Sequence, residues 1–164
     1  MTNAEPILFR LAALWTAVGL ASGLAYRELT RGGGFTGFTQ LSVVHTHTLV
    51  LGTVAGLGLL ALQRVFLLGR DRRFGWFLWT WTIGLALTAG GLATKGTLQV
   101  LGSPNADSPA LAGVSGMGHI LLTVGFVLLF VVLGRRIRED RAEQVDRAEQ
   151  GRQPATTSPL TARA

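Results

Sequence analysis

The stretch ALAGVSGMGHILLTVGFVLLFVVL, residues 110–133, decides the fold class. It carries no Asp, Glu, Lys or Arg. A helix rises about 1.5 Å per residue, so about 20 such residues cross the roughly 30 Å hydrocarbon core of a bilayer. Working outward, residues 7–26, 40–62 and 74–98 are apolar and long enough to do the same. The chain is therefore predicted to be all-α, an integral membrane four-helix bundle. Gly23-Leu24-Ala25 has the small-x-small form of a signal-peptide cleavage site. The basic segment that should precede such a site is missing apart from Arg10, so the first segment is expected to be a retained span.

Charge places the spans in the membrane. The second connection holds Arg64, Arg70, Arg72 and Arg73, and the segment after the fourth span opens with Arg135, Arg136 and Arg138. The third connection, residues 99–109, has no basic residue, and the first has Arg27 and Arg31. The positive-inside rule then puts both termini in the cytoplasm, in the cell's inner (plasma) membrane. Trp76, Trp79 and Trp81 beside the arginines fit an interfacial aromatic belt.

The formal charge of +6 lies around apolar segments and not on a soluble face. The expected partner is membrane lipid with anionic headgroups, and not nucleic acid. Residues 1–134 form the membrane domain. Residues 135–164 form a charged, partly disordered cytoplasmic tail with a short duplication, Asp140-Arg-Ala-Glu-Gln and Asp146-Arg-Ala-Glu-Gln. The tail should extend the fourth helix for a few turns and then fray.

Positions three, four and seven apart share a helix face. That rule groups Trp15, Gly19, Ser22 and Tyr26 in the first span, and His45, Gly52 and Gly56 in the second. It groups Gly84, Thr88, Gly91, Lys95 and Gln99 in the third, and Ala112, Ser115, Gly116, His119 and Thr123 in the fourth. Small residues let membrane helices approach closely, so these stripes are expected to line the bundle interior.

Ionisable groups inside a bilayer are costly, and they mark function more often than packing. Given the orientation above, His45, His47, His119, Lys95 and Gln99 all lie in the outer half of the membrane. Tyr26, Arg27 and Glu28 close the first span at the same level. This constellation reads as a buried site opening outward. His45 and His47 are 200° apart on their helix. His45 shares the glycine face and is expected to pair with His119, while His47 looks into a different interface. Lys95 either belongs to the site or extends to the outer headgroups.

The chain has no cysteine, which removes thiolate metal sites, iron–sulfur clusters and a cysteine nucleophile. Two imidazoles on facing helices suit the axial positions of a haem iron, or part of a metal site at His45, His47 and His119. Haem b is the preferred cofactor, used for electron transfer or for sensing a ligand such as oxygen. The glycine stripes leave room for its macrocycle, and Lys95, Arg27 and Arg31 lie where propionates seek cations, beside Tyr26. Copper is the alternative, or no cofactor at all. Met117 faces away from His119, and no carboxylate lies at the histidines' depth, which weakens a thioether copper site and a zinc site.

Several stretches identify a wider likeness. They are Tyr26-Arg-Glu-Leu-Thr, Phe35-Thr-Gly, Val44-His-Thr-His-Thr-Leu-Val-Leu-Gly52, Lys95-Gly-Thr-Leu-Gln-Val-Leu-Gly102 and Gly116-Met-Gly-His-Ile-Leu-Leu-Thr-Val-Gly125. Together they resemble a bacterial family of small four-span membrane proteins of unknown function with a V-H-T-H-x-L-x-L-G motif. The resemblance implies the four-helix topology and no activity; the long charged tail departs from it. The H-x-H pair alone also resembles the haem-ligating helix of respiratory haem–copper oxidases, where two histidines serve two metal centres.

Two other functions fit the composition. One is a small-solute transporter or channel with His, Lys and Gln lining a vestibule. The other is a structural or assembly subunit, either a homo-oligomer or bound to a redox or other membrane partner. A hydrolase is not expected, and other enzymatic activity is left open. Residues for a Ser-His-carboxylate set at one depth are missing, as is a phosphate-binding glycine loop followed by Lys-Ser/Thr.

Overall fold

A computed structural model describes residues 4–152. It contains four long helices, each long and apolar enough to cross a membrane. They are α1 (Ala4–Gly32), α2 (Leu41–Phe66), α3 (Arg73–Val100) and α4 (Pro109–Arg152). No strand occurs among the described residues. The four-helix membrane architecture expected from the hydropathy is thus present. The helices overrun the apolar windows at most ends because polar flanks continue the helical turn. In α4 the continuation reaches Arg152, well past the few turns expected for the tail. The fraying and disorder expected beyond it fall, from residue 153, outside the described residues.

The connections are short and chemically specified. Gly102 adopts φ +66° just after α3, the left-handed conformation that glycine takes without a steric penalty. Ser108 is extended ahead of Pro109, which fills the first position of α4, where its missing N–H costs nothing. Leu67 ends α2 with φ 51°, a rare conformation for a non-glycine residue. Gln63, buried beneath it, supports that turn, its Oε1 accepting from Gly69 N at 2.7 Å.

The chain folds as two antiparallel helical hairpins, α1 with α2 and α3 with α4, joined along α2 and α3. In a membrane, lipid tails are as apolar as leucine, so close fit and hydrogen bonds drive association. Gly52 lets the Trp15 side chain lie directly on α2, where any Cβ would collide with it. Gly118 lets the backbones of α3 and α4 touch, facing Thr88 N and Gly84 O. The Thr16 and Thr53 hydroxyls join α1 to α2 at 2.9 Å.

The main core lies toward the arginine-rich end and is built from Leu8, Trp15, Phe74, Phe77, Trp81 and their neighbours. A second, smaller core of Leu41, Val44 and Ala89 lies toward the other end, with Tyr26 packed on it. Trp76 and Trp79 are exposed, as an interfacial belt requires. Trp81 is instead buried in the main core, because it lies on the face of α3 that meets α4 and donates to Leu51 O at 3.2 Å.

Candidate functional site

The start of α2 is tied to the end of α3. The buried Thr39 hydroxyl donates to Gly96 O at 2.8 Å, and Gln40 N donates to Gln99 Oε1 at 2.8 Å. These bonds fix the direction in which Val44-His-Thr-His47 projects. Val44 turns into the small core. His45 turns toward α1, where a Cβ at Gly23 would sit 3.7 Å from His45 Cβ. His47 turns toward α4.

There it meets His119. The two ring centroids are 6.3 Å apart, and the ring planes stand at 81°. Each ring is braced by its own helix. His47 Nδ1 lies 2.9 Å from Val43 O, and His119 Nδ1 lies 2.8 Å from Ser115 O. A carbonyl oxygen only accepts, so each Nδ1 carries the proton and donates it. In the neutral ring the Nε2 lone pair is then the free one. An imidazole held this way could offer Nε2 to a metal or to a hydrogen-bond donor.

The pairing differs from the expected His45–His119 pair. The glycine face of α2 does include His45, but that face meets α1, through Gly52 on Trp15 and Gly56 on Ala12. His47, on the other side, is left facing α4. The α4 stripe also differs from expectation. Gly118, Leu122 and Gly125 are buried, while Gly116, His119 and Thr123 are exposed. The helix is rotated by about one residue from the expected interior face, and His119 stands at the edge of the interface with α3.

The other expected site residues lie around this pair without converging on it. His45 Nδ1 is buried with no hydrogen-bond partner among the described residues, and its Nε2 is 3.5 Å from the Thr46 hydroxyl. Lys95 Nζ lies 3.5 Å from Asp107 in the third connection. Tyr26 packs on Leu41 and Val44, and Arg27 is exposed at the end of α1. Among the described residues, no group of three or more His, Asp or Glu side chains could hold a metal ion. The three histidines therefore do not form one cluster.

A π-helical segment, Thr48–Val54, follows His47 directly. Such segments are rare and recur at functional sites. Here it widens the helix below the site, and Leu51 O within it accepts the Trp81 indole N–H. Thr48 Oγ1, buried, donates to Val44 O at 2.9 Å and steadies the turn that carries both histidines.

The profile of one protein family matches residues 7–136, all four spans with every histidine and Lys95. The chain belongs to the DUF2871 family, proteins of unknown function. The DUF2871 match ends at Arg136, where the helical extension of α4 begins. No curated protein and no solved structure matches the chain.

Proposed function

We propose that this DUF2871 protein binds haem b between His47 and His119 and passes electrons in the outer half of the bilayer. The observation that carries the reading is the imidazole pair, with both Nδ1 atoms engaged by their own helices and both Nε2 lone pairs free. Two metal–nitrogen bonds of about 2 Å each fit within a centroid separation of 6.3 Å. A bare zinc ion needs three or four protein ligands, and two imidazoles fall short of that. Haem would bring four nitrogen ligands of its own, so His47 and His119 would be enough to hold it.

Space supports the same reading. On α4, one turn before His119, a Cβ at Gly116 would meet nothing within 4 Å. A large apolar group therefore has an open flank facing the membrane. Haem supplies reversible one-electron chemistry when bound. The chain's own part is to hold both rings at fixed separation and to shield one side of the group with α2 and α4. Were His47 and His119 both to hold the iron, no position would stay open to a small ligand, which favours electron transfer over oxygen sensing.

With the arginine-rich end in the cytoplasm, both termini are cytoplasmic and the pair lies in the outer half of the plasma membrane. His47 is about 9 Å along α2 from Leu41, and His119 about 15 Å along α4 from Pro109, at 1.5 Å per residue. The transporter and assembly-subunit readings rest on composition alone.

The test is a visible absorption spectrum of the detergent-purified full chain, expressed with haem precursor and then reduced with dithionite. A Soret band with sharp reduced bands, at about one haem per chain, is the expected result. A colourless protein that takes up no added haem would overturn the reading.

A further inference from the structure

The opposite end of the bundle carries a feature that the histidine pair does not use. An open groove of about 690 Å³ runs along α4 beside the start of α3. Its walls include Phe126, Val127 and Phe130, and its mouth is formed by Arg73, Arg135 and Arg138. The Phe126 wall is held in place by Trp81, with ring centroids 4.8 Å apart. From Thr123 at the deep end to Arg135 at the mouth the helix rises about 18 Å. One leaflet of hydrocarbon is about 15 Å thick. The apolar part of the groove thus spans the depth of one leaflet, and its cations sit at headgroup level.

The charges at the mouth are not balanced. Arg135 lies 3.7 Å from Asp71, and Arg136 pairs with Glu139. Among the described residues, the Arg73 and Arg138 side chains pair with no carboxylate. A second hollow of about 370 Å³ adjoins the mouth and adds Arg70 and Arg72. Six arginines against two carboxylates in segments 70–73 and 135–139 leave a net +4.

We propose that this groove is a binding site for an anionic phospholipid. One acyl chain lies against Phe126 and Phe130, and the phosphate sits between Arg73 and Arg138. A soluble phosphate would leave the apolar walls uncovered. A zwitterionic lipid would bring an ammonium group to a mouth whose nearby carboxylates are already paired. Basic hollows at the ends of membrane helices recognise anionic headgroups through this chemistry. The site shares no residue with the histidine pair, so either assignment stands or falls without the other.

Native mass spectrometry of the full chain in detergent, titrated with phosphatidylglycerol, phosphatidylcholine and soluble glycerol 3-phosphate, tests the proposal. Phosphatidylglycerol is expected to bind roughly tenfold more tightly than phosphatidylcholine, and glycerol 3-phosphate to bind far more weakly than either. The double variant Arg73→Gln/Arg138→Gln should lose the preference, and Val127→Trp, which fills the groove, should weaken binding with the arginines intact. The double variant Arg147→Gln/Arg152→Gln, on the far extension of α4, removes the same number of charges and should behave as the parent chain. Equal binding of the two lipids, binding of glycerol 3-phosphate as tight as that of the lipid, an undiminished preference in Arg73→Gln/Arg138→Gln, or undiminished binding in Val127→Trp would overturn it.

Discussion

Alanine at His47 or at His119 is expected to abolish stable haem binding, while alanine at His45 leaves it in place. In the proposed site each of the first two substitutions would remove one of the two nitrogens offered to the iron. Changes that merely disturb a ligand's supporting hydrogen bonds typically cost 10–100-fold in metal affinity, so loss of the ligand itself should cost about 100-fold or more. Neither substitution undermines the fold, because each imidazole is bonded to the carbonyl four residues earlier on its own helix and supports no other element. His45 projects toward α1 and has no place in the pair. The comparison is made by haem content per chain after identical purification. If His45→Ala lost haem and His47→Ala kept it, the pairing derived from the ring geometry would be wrong.

The second large effect concerns the seam between α3 and α4. Gly118→Leu is expected to destabilise the bundle by about 3 kcal/mol, the upper part of the range for an overpacked core. A Cβ there meets Thr88 N and Gly84 O, and backbone atoms cannot rotate away as a side chain can. The two helices must separate, and His119, the next residue in sequence, moves with them. Gly58→Leu provides the contrast: nothing lies within 4 Å of a Cβ at that position, and the residue is exposed. It should be nearly neutral, with a small gain from helix propensity. Thermal unfolding in detergent, followed by helical circular dichroism, separates the two. Equal midpoints for both variants would show that the seam tolerates expansion.

Much of this was legible in the sequence. Four uncharged or nearly uncharged runs of about 20 residues have few alternatives to spanning helices. The Trp15–Gly19 face of α1 and the Gly84–Thr88–Gly91 face of α3 do meet their neighbours, because small residues report where membrane helices touch. The histidines were visible as costly groups at one level. Their pairing was not. A helical wheel gives the faces of one helix but not which neighbour each face meets. The glycine face of α2 belonged to α1, and the true contact face of α4 ran through Gly118 and Gly125, about one residue's rotation from His119 and on the far side from Gly116. The π segment at Thr48–Val54 has no signature in periodicity either, since it consists of ordinary apolar residues and one glycine. Thr39 and Gln63, which anchor the two ends of α2, lie beside the spans and carry no charge to draw notice.

The central claim is that His47 and His119 hold one iron, and low-temperature electron paramagnetic resonance of the oxidised, haem-loaded chain tests it most directly. Were both rings to hold the iron at their 81° interplanar angle, two of its d orbitals would be nearly equal in energy, whereas parallel planes would split them. The expected result is a low-spin signal of high anisotropy, absent from His47→Ala and His119→Ala. A high-spin signal, or no haem-iron signal from protein given ample haem, would contradict the account.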